Sequence, residues 1–397
     1  MTSADAPTPM RPILARSRDE HHRASTPLEL LFDLCFVVAV AQAGGALAHS
    51  LAGAHPGHGA VGYLMVFFAI WWAWMNFSWF ASAYDPDDVP YRIAVLVQIA
   101  GVLVLSAGVT RAFEAHDISV VWFGYLVMRV GLLSQWLRVA RAAGGAERRA
   151  AVRYATGVAA CQVGWLGLLF LPADVVPWLF LGMAVIEMAV PPWAERGYQT
   201  SWHPRHIAER FGLFTIIVLG ESIAAATVAV KTALDEHGEL GALLPVAAGG
   251  LLIVFSAWWI YFVAPIHEHL TSNRRAFLWG YGHYAVLAST AAIGTGLEVV
   301  VEHASGETDL SPAGAAAAVT VPTALYLLTV WLLHSRHSKR GAGQLVLPVT
   351  AALVLACTAA GDWAVLLSGF VTALAVTTGV ILTAHQARLP RQEGGIA

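Results

Sequence analysis

Long apolar stretches alternate with short polar ones from residue 28 almost to the end of the chain. A helix crossing a bilayer core needs roughly 17–25 mostly apolar residues. Twelve runs qualify: 28–49, 60–82, 92–112, 118–137, 152–171, 174–192, 211–231, 241–264, 276–298, 313–333, 344–360 and 363–384. They are rich in Ala and Leu and lack two-residue alternation, so they predict helices rather than strands. The fifth and sixth are separated by Pro172 to Asp174, and the last two by Gly361 and Asp362. Each of these pairs predicts a tight helical hairpin. The predicted fold class is an all-α polytopic membrane protein with about twelve transmembrane helices.

The basic residues orient these spans. Counting twelve spans from an inside N-terminus puts twenty Lys and Arg in the inner segments, among them Arg11, Arg92, Arg138, Arg205, Arg275 and Arg388. Arg111 and Lys231 fall outside, and Arg129 lies within the fourth span. A bias this strong places both termini in the cytoplasm. One missed span would reverse every later loop and destroy it. The expected location is a membrane crossed many times.

Composition agrees. Hydrophobic residues make up 57% and charged residues 12%, about half the share in a soluble domain. Mean hydropathy is +0.62. These values exclude a soluble enzyme, a disordered chain and a nucleic-acid binder. The net charge of −3 says little about partners. Cys35, Cys161 and Cys357 lie inside apolar runs and suggest neither a disulfide framework nor a metal site. The first apolar run carries Glu29 and Asp33 and is read as the first span, not as a secretory leader.

The two halves share marks in the same order. Glu29 opens the first span and Glu209 the seventh; His21 and His22 precede the one, His203 and His206 the other. Trp71-Trp72 in the second span corresponds to Trp258-Trp259 in the eighth, and Tyr125 in the fourth to Tyr326 in the tenth. Arg92 follows Asp85 by seven residues, as Arg275 follows Glu268. The expected organisation is a polar tail over 1–27, a six-helix repeat over 28–192, a linker over 193–210, a second repeat over 211–385 and a tail over 386–397. Six is an even number, so the repeats would be parallel, with the first and seventh spans facing each other.

Charges in hydrocarbon are costly, so those present usually face a bundle interior or water. Glu29 and Asp33 are four residues apart and share one helix face. They are candidates for an ion site, or else for helix caps and partners of a loop arginine such as Arg92. Glu221, followed by Ser222, lies near the middle of the seventh span and reads as a proton or cation site, or as a carboxylate locked to Arg129 or held neutral by burial. Arg129 is expected to neutralise Glu187 or Glu221. His283 reads as a bundle histidine or a proton relay. His203-x-x-His206, His267-x-His269 and His334-x-x-His337 have spacings that zinc tolerates, but no cysteine or acid set completes a site, and a solvated loop face is the simpler reading. The paired tryptophans read as interfacial anchors or packing. No phosphate-binding loop, Gly-x-Ser-x-Gly or His-Glu-x-x-His occurs, so no cofactor or catalytic residue is assigned.

The stretch Thr26-Pro27-Leu28-Glu29-Leu30-Leu31-Phe32-Asp33-Leu34-Cys35-Phe36 and the stretch His203 to Ile223, with Glu209-Arg210-Phe211-Gly212 and Leu219-Gly220-Glu221-Ser222, resemble the signatures of the bacterial low temperature requirement A family. The resemblance runs from about His21 through the last span. Leu31 and Cys35 replace the usual phenylalanine and valine. The resemblance carries over Glu29, Phe32 and Asp33, and Glu209, Arg210, Glu221 and Ser222. It implies a membrane protein named for growth in the cold, with no settled biochemistry.

The leading expectation is a secondary transporter or channel for a small ion or solute, such as a proton or monovalent cation, driven by an ion gradient. Glu29, Asp33, Glu209, Glu221 and Ser222 would bind it between the first and seventh spans. Arg129 and Glu187 would be counter-charges and His283 a relay. The alternatives are an intramembrane enzyme acting on a lipid, or a sensor or structural protein. The lipid bilayer is the one certain partner; the oligomeric state is not legible.

Overall fold

The structure is a computed structural model describing residues 10–17, 24–53, 56–114, 117–172, 174–237, 240–263, 266–339 and 341–388. His21 and His22, and the basic residues Arg18, Arg23, Arg340 and Arg391, lie outside the described residues. Among the described residues the fold is all-helical, without a strand.

The principal helices are α1 (Pro27–Ala52), α2 (Pro56–Ala83), α3 (Val89–Glu114), α4 (Ser119–Ala142), α5 (Gly145–Leu168), α6 (Val176–Met188) and α7 (Val190–Ala194). They continue with α8 (Pro204–His237), α9 (Leu240–Phe262), α10 (Asn273–Ala304), α11 (Pro312–Val330), α12 (Arg336–Ser338), α13 (Val346–Cys357) and α14 (Ala364–Arg388). Every one of the twelve apolar runs is helical. Among the described residues, ten stretches are long and apolar enough to cross a membrane. The difference from twelve has two causes. The first turns of α5 carry Glu147, Arg148, Arg149 and Arg153, and α13 and α14 form one apolar stretch, Val346–His385. That stretch is bent at Gly361, whose φ of 56° and ψ of −121° suit a residue without a Cβ. The outward surface is apolar: Phe170, Trp178, Val163 and Leu374 are each more than 60% exposed, as lipid-facing side chains would be.

The chain forms two compact units. One comprises Met1–Val218 and His267–Gly280, the other Leu219–Ile266 and Tyr281–Ala397. In the first, α1 packs on α2 and α3, α3 on α4, α4 on α5, and α5 on α6 and α7. The α3–α4 seam is made by glycines seven residues apart on each helix, Gly101 and Gly108 against Gly124 and Gly131. A Cβ on Gly124 would sit 2.3 Å from the backbone nitrogen of Leu105. Without a hydrophobic drive between helices in lipid, such close backbone approach supplies the packing. In the second unit α9 packs on α14, α11 on α13, and α13 on α14. Its core is apolar, built from residues such as Val254, Ile293, Val319 and Val354.

The start of α1 follows from its sequence. Thr26-Pro-Leu-Glu29 is a capping box with proline at the first helical position. The Glu29 backbone N–H donates to Thr26 Oγ1 at 3.3 Å, and the Thr26 N–H donates to Glu29 Oε2 at 2.7 Å.

Candidate functional site

Glu29 and Asp33 lie i,i+4 on α1, and within the same unit they meet a second i,i+4 pair, His206 and Arg210, from the first turns of α8. Glu29 Oε1 is 3.3 Å from His206 Nε2 and 3.2 Å from Arg210 Nη1. Asp33 Oδ1 accepts hydrogen bonds from Trp74 Nε1 at 2.7 Å and from Arg210 Nη2 at 2.5 Å. Arg210 Nη2 also donates to Ser78 Oγ at 3.3 Å. None of the four ionisable side chains is more than 2% exposed. Aromatic rings wall the cluster: Phe32 packs on Phe77 with centroids 3.9 Å apart, and Trp74 stacks on Phe214 at 4.4 Å. Asp33 Oδ2 is buried and makes no hydrogen bond among the described residues.

A second buried charge cluster lies in the same unit. Tyr125 and Arg129 are i,i+4 on α4, Trp165 comes from α5 and Glu187 from α6. Arg129 Nε is 3.4 Å from Glu187 Oε1. Glu187 Oε2 accepts from Tyr125 Oη at 2.7 Å and from Trp165 Nε1 at 2.8 Å. Arg129 donates to the Tyr125 hydroxyl and lies over its ring at 4.4 Å. Of the two expected partners for Arg129, the structure selects Glu187.

The remaining sequence candidates are dispersed. Glu209 Oε1 accepts from the Ser25 N–H at 3.0 Å, close to the start of α1. Glu221 and Ser222 belong to the second unit. Ser222 is buried and donates to the Thr290 carbonyl at 3.1 Å. Glu221, one residue away and so about 100° around the helix, is half-buried and makes no hydrogen bond or ion pair among the described residues. His283 Nε2 lies 2.9 Å from Tyr261 Oη, and the His334 ring stands 5.6 Å from the His283 ring. His334 sits on a π turn, Trp331–Ser335, that continues α11.

Two expectations are corrected, and one is narrowed. Arg92 does not serve Glu29 or Asp33; it pairs with Asp87 at 2.8 Å, because that acid is local. His206 and His334 are not solvated loop histidines but buried members of separate clusters. Trp71 and Trp72 are buried packing residues, whereas Trp258 and Trp259 are each 45% exposed. Sequence reasoning missed His206 and Trp74 as cluster members. The i,i+4 spacing of His206 and Arg210, matching that of Glu29 and Asp33, was the available signal.

Two polar networks outside the helical spans brace the first unit. Asp88 caps α3, accepting from the Tyr91 N–H at 2.9 Å and the Arg11 N–H at 2.9 Å, and from Arg138 Nη2 at 2.5 Å. Burial opposes its charge, but Arg138 and the two backbone donors outweigh burial and hold the carboxyl below its ordinary value. Glu195 accepts from Tyr154 at 2.9 Å, from Thr200 at 2.6 Å and from Asn273. There burial prevails over the donors and pushes the carboxyl up. Among the described residues, no group of three or more His, Cys, Asp or Glu could hold a metal ion.

Comparison with known proteins agrees with the signatures at Glu29–Asp33 and Glu209–Ser222. An uncharacterized protein of Rhizobium meliloti (strain 1021) is 25% identical over 308 residues, which is 73% of this chain and 72% of that one. The family described as bacterial low temperature requirement A protein matches residues 24–384. With nearly its whole length matched, the chain belongs to the bacterial low temperature requirement A family of membrane proteins.

Proposed function

We propose that this protein is a secondary transporter or channel that passes a small ion or solute across the bacterial cytoplasmic membrane. The observation that carries the proposal is Asp33 Oδ2, a fully buried carboxylate oxygen with no hydrogen bond among the described residues. An ionised oxygen left in that state costs several kcal/mol, so the site favours a charge-compensating ligand. Glu29 and Glu209 flank it near the starts of α1 and α8 and would form its entrance. Glu221 in the second unit, half-buried and without an ion pair among the described residues, is a second station, with Ser222 anchoring its helix. Arg129 with Glu187 acts as a locked counter-charge, and His283 with Tyr261 as a relay.

In this reading the chain crosses the membrane twelve times as two parallel six-helix repeats, with both termini cytoplasmic. The basic residues of the inner segments support that orientation. An enzyme acting on a lipid would need its histidine and acids open to the bilayer. His206, Glu29 and Asp33 are instead at most 2% exposed, which favours transport.

The test is ion flux in proteoliposomes under imposed proton, sodium and potassium gradients. Flux in the wild type, falling at least tenfold in Asp33→Asn with the fold intact, is the expected result. Folded wild-type protein that passes nothing under any gradient overturns the proposal. Glu221→Gln in the same assay tests the second station.

A further inference from the structure

We propose that the ion taken up at Asp33 is a proton and not a metal cation, and that His206 is the cluster's second proton station. This rests on the transport reading and names its ion.

Coordination chemistry is the argument. Metal cations exchange their water for a shell of oxygens, about six to eight for calcium and rings of carbonyls for potassium. Asp33 cannot supply the core of such a shell. Its Oδ1 already accepts from Trp74 and Arg210. Glu29 Oε2 is held by the Thr26 cap, and Ser78 Oγ donates to the Trp74 carbonyl. The surrounding walls are the rings of Phe32, Phe77, Trp74 and Phe214. The place between the two carboxylates, where a metal would sit, is filled by the Arg210 guanidinium. A proton needs one lone pair and no shell, and Oδ2 has that lone pair.

Charge gives the direction. Among the described residues, the ionisable groups facing Asp33 are Glu29 from its own helix and Arg210 from α8, with His206 of α8 beside Glu29. From α2 come Trp74 and Ser78, which do not ionise near neutrality. The arginines of α3, Arg92 and Arg111, are engaged by Asp87 and Asp117. With Asp33 protonated, Arg210 balances Glu29. When the proton leaves, one guanidinium is shared by two carboxylates. Placing that proton on the imidazole of His206, 3.3 Å from Glu29, gives two cations against two anions. The step converts a carboxylic acid to a carboxylate and an imidazole to an imidazolium, and one proton is conserved.

Infrared difference spectroscopy on the full chain in lipid nanodiscs tests this, with buffers of sodium, potassium or choline. The expected result is a protonated-carboxyl band that shifts when aspartate is labelled with carbon-13, disappears in Asp33→Asn and is the same in all three salts. His206→Gln should move the pH at which the band is lost, with the band itself retained. The isotope label needs no mutation, so a folding defect in either variant does not spoil the test. Absence of an aspartate-labelled band across the pH range overturns the inference, as does its loss on adding sodium or potassium. Sodium or potassium flux lost in Asp33→Asn overturns the proton while leaving transport standing. A band without flux under any gradient supports the proton site and removes the transport reading.

Discussion

Two buried charge clusters in one unit share a construction and differ in charge balance. Each uses an i,i+4 pair on one helix, an arginine, and a tryptophan N–H donated to a carboxylate. At Glu187 one carboxylate meets one arginine: Oε2 takes Tyr125 and Trp165, and Oε1 lies 3.4 Å from Arg129 Nε without a hydrogen bond among the described residues, whereas Asp33 and Glu29 are two carboxylates that share Arg210. At Asp33 one oxygen takes two donors and the other takes none among the described residues. Burial alone therefore does not mark a working charge. A one-to-one pair can hold a bundle together, whereas a carboxylate in excess of its cation invites a proton.

The comparison can be broken most forcefully at Arg129. Arg129→Met leaves Glu187 buried without its cation and should cost about 3–5 kcal/mol in denaturant unfolding in detergent. The double change Arg129→Leu with Glu187→Met should recover most of that loss and keep flux near the wild-type value. Loss of flux in the folded double variant would show that the engaged pair also works in transport.

Asp88 sharpens the contrast from outside the spans, as a carboxylate with every donor in place. Asp88→Ala should cost about 2 kcal/mol, as for the loss of a strong helix cap, without changing flux. Its carboxyl lies below its ordinary value in the fold. Its contribution is therefore complete above about pH 4, the ordinary range for aspartate, and is lost as pH falls through the lower folded value. Melting curves in acid should fall more steeply for the wild type than for Asp88→Ala.

Thr26→Ala removes the cap that holds Glu29 Oε2 and should cost about 1 kcal/mol by the same measurement. A larger loss would mean that the cap and the ion cluster act as one unit. The smallest effect on stability is expected from Asp33→Asn, within about 1 kcal/mol, because the amide oxygen can still accept from Trp74 and Arg210. A severe loss of stability there would make Asp33 structural, like Glu187, and erase the distinction.

Much of this was legible in the chain. Apolar runs of bilayer length fixed the position of every major helix, because backbone groups in lipid must be satisfied within the helix itself. The Glu29–Asp33 face followed from spacing alone. What spacing could not give was the partner. Arg210 lies 177 residues beyond Asp33, while Arg92 seemed nearer and was already taken by Asp87. Trp71-Trp72 and Trp258-Trp259 show the same limit. Identical dipeptides lie buried in one place and half-exposed in the other, because neighbouring helices decide which face is covered.

The sequence by itself thus determined the helices, the cap at Thr26, the low charge content and the few acids placed in apolar surroundings. These are local properties, set by hydropathy and by the 3.6-residue turn. Only the tertiary structure decided which charges close on each other and how many acids share each arginine. Pairing depends on helices far apart in the chain and on small differences in how closely they approach, and in a low-dielectric interior such differences separate a locked salt bridge from a site with room for a proton.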